Sequence, residues 1–244
     1  MIYKSALKFV HIELSTSVYI AVIFILFSAF TTSATTKTIM GIGDSLTKGS
    51  EEKTPSYIVF LRDLLSKKEC EFEFIGPNKT EHSMGEYWSC GFAGKNVEYI
   101  AERIDSIYKK YPADIVLLQC GHNHFNEEKP VKGMIEAYQK IISILQRENP
   151  DVKVFIAKVV ESGKLPKYAY IPELNKELKK MVKSYDDKNI VFADISRGFE
   201  WNRHTVSDLV HPTPEGALIM AQNWFRVLNN DSIMKNSCKL NPKK

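Results

Sequence analysis

Five short strand-like runs, four apolar and one alternating charged with apolar residues, alternate with helix-length amphipathic stretches along this chain, and that alternation limits the fold more than any other feature. The runs are Thr38 to Gly43, Glu71 to Ile75, Ile115 to Leu118, Val152 to Val160 and Ile190 to Ile195. Ile115 to Leu118 is apolar without a break, as a parallel strand covered on both faces requires. Between the runs, apolar residues recur at helical spacing. Examples are Tyr57, Phe60, Leu61, Leu64 and Leu65, then Val97, Ile100, Ile104 and Ile107 behind the N-cap residue Asn96. Tyr138 to Leu145, Leu174 to Tyr185 and Ala217 to Leu228 continue the series. Strands separated by helices predict a three-layer α/β/α sandwich around a five-stranded, mostly parallel sheet. No repeat or linker divides the chain, so one domain over residues 35–244 is expected.

Residues 1–34 stand apart. Lys4 and Lys8 precede an apolar run from Val18 to Phe30, and the small residues Thr31, Thr32, Ser33 and Ala34 follow. Basic, apolar and small segments in that order read as a secretory signal peptide cut after Ala34. The competing reading is an uncleaved anchor over residues 18–30, which would be the chain's one membrane contact. Both readings put the remaining residues outside the cytoplasm. The net charge of +4 falls by one unit without the leader's Lys4, Lys8 and Glu13, and the lysines are spread along the chain. Such a surface argues against nucleic acid as a partner.

Four cysteines follow the leader: Cys70, Cys90, Cys120 and Cys238. In an oxidising compartment they allow up to two disulfides, and their spacing fits no zinc site. Cys90 and Cys120 border the two glycine loops described next, which makes them a candidate pair; buried free thiols are the alternative. Asn78-Lys79-Thr80 and Asn230-Asp231-Ser232 are glycosylation sequons, relevant in a eukaryotic host.

The residues with chemistry fall just after strands, where open α/β sheets bind ligands. The first strand runs into Gly41-Ile42-Gly43-Asp44-Ser45-Leu46-Thr47, a setting that presents the Ser45 hydroxyl above the sheet. A serine hydroxyl needs a base to take its proton. His211 can serve, with Asp208 three residues earlier in the same loop to hold its other ring nitrogen. Acyl transfer also needs donors for an oxyanion. Gly94, in Gly91-Phe92-Ala93-Gly94, lets a backbone N–H approach, and Asn123, in Cys120-Gly121-His122-Asn123-His124, offers a side-chain amide.

Four loops in the order Gly-Asp-Ser, Gly, Gly-x-Asn and Asp-x-x-His resemble the SGNH (GDSL) hydrolase superfamily over the whole chain after residue 37. The resemblance implies a flavodoxin-like sandwich. It also implies Ser45 as nucleophile, His211 as base, Asp208 as its acid partner, and an oxyanion hole from Ser45, Gly94 and Asn123. No cofactor or metal is expected; His122 and His124 find no third ligand at suitable spacing. One position departs from the pattern, since His124 stands where these proteins carry an acid after the Asn.

Phe74-Ile75-Gly76, the Gly91 to Gly94 loop and His211-Pro212 followed by Pro214, Glu215 and Gly216 look like the acetylxylan-esterase-like branch. That implies a short-chain esterase acting on an acylated carbohydrate or another small ester. Asp44, Trp88 and Trp201 are expected to line the substrate, the tryptophans by stacking on sugars or lining an acyl pocket. Two other readings stand beside this one. A lipase, lysophospholipase or thioesterase would use the same triad, and a glycan-binding surface protein would need none.

Overall fold

The computed structural model describes residues 36–235 apart from 51, 52 and 69. Residues 1–34, where a signal peptide or anchor is expected, and Cys238 therefore lie outside the described residues. Strand β1 (Lys37–Gly43) is the centre of a sheet that also contains β2 (Phe72–Phe74), β3 (Asn78–Thr80), β4 (Tyr87–Gly91), β5 (Ile115–Gln119), β6 (Lys153–Ala157) and β7 (Ile190–Ala193). The order is β3-β4-β1-β5-β6-β7. All pairings on this path are parallel except β3 with β4. β2 and β4 share one edge of β1: β2 pairs with Lys37 to Ile39, and β4 with Ile42 and Gly43.

Helices cover both faces, which is why β5 and β6 are buried along their whole length. On one side α2 (Tyr57–Ser66) packs against α8 (Pro214–Asn230). On the other, α3 (Val97–Ala101) and α4 (Ile104–Lys110) pack on α5 (Val131–Glu148), which in turn contacts α6 (Ile171–Ser184). Short helices α1 (Ser45–Lys48), α7 (Trp201–His204) and α9 (Ser232–Lys235) complete the set. At the foot of the sheet Asp114 accepts from the Thr38 N–H and hydroxyl, both at 2.9 Å, and so pins β1 to β5. No helix among the described residues is long and apolar enough to cross a membrane.

The sandwich matches the expectation, but the sheet has seven strands rather than five. The additional strands, β3 and β4, form an antiparallel ribbon at the edge. β3 is three polar residues, Asn-Lys-Thr, and β4 mixes aromatic, Ser, Cys and Gly residues, so neither carries an apolar run. The helix expected from Val97 to Ile107 breaks at Glu102 and Arg103 into α3 and α4. The cysteine pair also needs correction. Cys90 and Cys120 are buried free thiols, while Cys70 is disulfide-bonded. Cys90 lies on β4 and Cys120 just past β5, and β1 runs between those strands. Two strand spacings amount to about 10 Å, more than a disulfide spans.

Candidate active site

β1 delivers its last residues into a tight turn. At Gly43 a Cβ would sit 2.1 Å from the Gln119 carbonyl oxygen and 2.3 Å from Thr47 Oγ1, so only glycine fits between β5 and the returning chain. Asp44 caps α1, its Oδ1 accepting from Leu46 N–H at 3.0 Å. Ser45 is thereby the first residue of α1, at the carboxyl end of the sheet.

Asp44 does not line the substrate as expected, because its side chain is fully buried. Its Oδ2 accepts from the N–H groups of Gly121 and His122, at 3.3 and 3.4 Å, and lies 3.7 Å from the His122 ring nitrogen Nδ1. Asp44 thus ties the Ser45 turn to the Asn123 loop. Burial would raise its pKa, but the His122 ring and the Leu46 and Gly121 N–H groups outweigh burial and hold it below the ordinary value.

The loop between α7 and α8 brings the base. Asp208 Oδ1 accepts from the N–H groups of Val210 and His211, at 2.9 and 3.0 Å. Leu209 takes a left-handed backbone at φ 61°, which folds the loop back so that Asp208 meets the His211 ring. Its carbonyl is anchored from across the rim by the Ser162 hydroxyl and the Gly163 N–H, at 2.6 and 3.0 Å. Asp208 Oδ2 lies 2.5 Å from His211 Nδ1, and His211 Nε2 lies 2.8 Å from Ser45 Oγ. Burial opposes ionisation of Asp208, yet the His211 ring and the two backbone N–H groups keep its pKa lowered. The three residues, 166 positions apart at the extremes, form one hydrogen-bonded line.

The two glycine loops close the site. Gly94 has φ 73° with open space where a Cβ would be, so backbone conformation rather than crowding calls for glycine. Asn123 also has φ 73°, a region asparagine tolerates better than most residues. Its Nδ2 donates one hydrogen to the Lys95 carbonyl at 3.0 Å, next to Gly94. An amide nitrogen carries two hydrogens, which leaves one for a substrate oxygen.

The expected tryptophans differ. Trp201 opens α7, is 37% exposed, and packs its ring so closely on Gly163 that a Cβ there would come within 2.3 Å of it. Through Gly163 it adjoins the Leu209 turn. Trp88 is 40% exposed on β4, opposite Lys79 in the antiparallel ribbon. The sequence reading missed Tyr170, whose hydroxyl donates to the Gly121 carbonyl at 3.0 Å from 49 residues away, and the glutamates around His124. It also missed the exposed Phe125 and Leu209, which neighbour Asn123 and Asp208 in sequence, and the exposed Leu165, whose N–H donates to the Gly163 carbonyl. Separation in sequence hid Tyr170, whereas Glu98 had a signal as the acid in the first turn of α3. Asn78, in one sequon, already donates its amide to the Gly91 carbonyl at 2.8 Å.

Residues 42–219 match the model of the GDSL-like lipase/acylhydrolase family, well over half the chain. The chain belongs to that family. A carbohydrate esterase family 3 protein from Talaromyces cellulolyticus has the same fold, with TM-score 0.70 and 21% identity over 82% of this chain and 99% of that one. A family 3 carbohydrate esterase from Clostridium thermocellum gives TM-score 0.66 and 23% identity over 78% of this acylhydrolase-family chain and 94% of its own. A multidomain esterase from Ruminococcus flavefaciens is 25% identical over 253 residues, 89% of this chain and 32% of that protein. The chain thus spans about a third of the length of that curated relative. Within the family fold, the Ser45 line and both glycine loops sit where the carboxyl ends of β1, β4 and β5 meet.

Proposed function

We propose that this protein is a serine esterase that removes short acyl groups, acetyl foremost, from a carbohydrate outside the cytoplasm. The observation that carries the reading is the line Ser45 Oγ, His211 Nε2, His211 Nδ1, Asp208 Oδ2, with contacts of 2.8 and 2.5 Å. Hydrogen bonds of that length let His211 take the Ser45 proton as Oγ attacks the ester carbonyl. Asp208 holds the Nδ1–H and steadies the imidazolium that forms. The oxyanion is met by the N–H groups of Ser45 and Gly94 and by the free Asn123 amide hydrogen. His211 then gives its proton to the leaving alcohol, and a water activated by the same histidine releases the acid from Ser45.

The carbohydrate substrate is supported by the carbohydrate esterases that share the fold and by the aromatic surface of Trp201 beside the Leu209 turn. Location outside the cytoplasm is supported by the leader pattern and by Cys70, since disulfides persist in oxidising compartments. Exposed Phe125, Leu165 and Leu209 favour a second reading, an acyl group of greater length.

The test is hydrolysis of p-nitrophenyl esters of rising chain length, with acetate release from acetylated xylan. Asn123→Ala should lower kcat by about 10²–10³, the usual cost of one oxyanion donor. Ser45→Ala should lose more, together with labelling by a fluorophosphonate. Wild-type acetate hydrolysis by Ser45→Ala would refute the mechanism. Preference for long chains would move the substrate to lipids or thioesters, and an unlabelled folded protein would favour a glycan-binding role.

A further inference from the structure

His124 stands where the family resemblance leads one to expect an acid, and the structure holds it at both ring nitrogens. Nδ1 lies 2.7 Å from Glu128 Oε2, and Nε2 lies 2.9 Å from Glu98 Oε2. A carboxylate can only accept, so both nitrogens must donate, and among the forms of histidine only the imidazolium does that. The side chain is 13% exposed, and the Tyr170 ring stands edge-on to it at 6.4 Å, with Tyr168 packed in turn against Tyr170. The Glu98 hydrogen bond raises the His124 pKa, burial opposes it, and Glu128 raises it further. The charge of Lys167 reaches this cluster from the side of Glu128 and helps to lower the Glu128 pKa. Behind Glu98 stands α5, where a Cβ on Gly133 would lie 3.4 Å from Glu98 Oε1.

The clamp joins two separate loops. Glu98 is in the first turn of α3, which Asn96 caps two residues after Gly94, and Glu128 ends the 3-10 turn Asn126–Glu128 that begins two residues after His124. Asn123 makes a parallel tie, its amide to the Lys95 carbonyl. Consecutive side chains of the third loop therefore grip the segment that carries Gly94. Left-handed backbone at Asn123 and Lys129, φ 73° and 49°, brackets the stretch, and Lys129 has no asparagine-like ease in that region, so its neighbours must hold it there.

We propose that His124 is a positioning residue which, as an imidazolium bridging Glu98 and Glu128, sets the Asn123 amide at its working distance from the Gly94 N–H. It touches no substrate and acts through Asn123. The proposal rests on the esterase reading of the Ser45 site, and its test has one arm that does not.

That arm is the NMR titration of His124 ring nitrogens, performed in wild type and in Ser45→Ala. Both nitrogens should remain protonated well above the ordinary histidine value of 6.5, and Glu98→Gln should lower the titration point. A ring that titrates at the ordinary value overturns the proposal whether or not the protein is an esterase. The second arm is the pH profile of p-nitrophenyl acetate hydrolysis. Wild-type kcat should fall as His124 loses its proton on the alkaline side, and Glu98→Gln or Glu128→Gln should bring that fall to lower pH. His124→Gln should lower kcat about ten- to a hundredfold, the scale of a misplaced group, with KM nearly unchanged. Glu128 is half exposed, so Glu128→Gln keeps the kinetic test open if His124→Gln fails to fold. Alkaline limbs that coincide in wild type and both glutamine variants would overturn the positioning role. Inactive wild-type protein would sink the esterase reading and leave the NMR result to decide the state of His124.

Discussion

Replacing Asp44 separates a structural tie from a substrate contact. Asp44→Ala removes the cap of α1, which costs about 1 kcal/mol. It also strips the acceptor from the Gly121 and His122 N–H groups, which are buried and rather long at 3.3 and 3.4 Å. Two such donors left unpaired cost about 1 kcal/mol each at the lower end of the range. The sum is about 3 kcal/mol, or a fall in Tm of about 6–12 °C for a domain of this size. Asp44→Asn should cost less, about 2 kcal/mol, because its side-chain oxygen still caps Leu46 while its NH₂ group faces two donors. Thermal unfolding by circular dichroism at neutral pH reads the shift, and KM for p-nitrophenyl acetate should barely change in either variant. The acid side adds a sign. Because the folded pKa of Asp44 is lowered from 3.8, its contribution is complete above that value and is lost only as pH falls through the folded pKa. Wild type and Asp44→Asn should therefore converge in stability at acid pH and not before. An unchanged Tm with a raised KM would refute this account and return Asp44 to the substrate.

Two further outcomes follow from the same geometry. Asp208→Asn keeps the shape of the turn but presents an N–H to His211 Nδ1, which forces the ring proton onto Nε2, where it blocks proton transfer from Ser45. A loss of about 10⁴ in kcat is expected at every pH assayed. Since Asp208 has a lowered pKa, activity that wild type loses above pH 3.8 should not be traceable to its protonation. For the thiols, burial pushes Cys90 up to about 12, and burial together with the charges of Asp44 and Glu98 pushes Cys120 well above its ordinary value. Native protein should leave both unreacted with a disulfide reagent, and guanidinium should expose them; fast labelling of the folded protein would contradict their burial.

The sandwich was legible before any coordinates, and Ser45, Gly94, Asn123, Asp208 and His211 could be named from sequence as a candidate site. Strand and helix periods are local properties, and Gly43, Gly94 and the Asp208 to His211 spacing each record a backbone demand within a few residues. The β3–β4 ribbon was not legible, because a short polar edge strand is stabilised by its neighbour and not by its own pattern. The same limit misplaced Asp44. Its motif reads as part of an exposed site, yet its hydrogen bonds run to Gly121 and His122, 77 and 78 residues on. Cys90 and Cys120 each border one of the two glycine loops but are held apart by β1. His124 was visible only as a departure from a pattern; that it bridges Glu98 and Glu128 came from the packing of α3 against the third loop. Local periodicity and turn chemistry settle which elements form and which residues can do chemistry. Partners across the sheet depend on strand order and on which buried donors need an acceptor, and only the folded chain brings those groups within reach.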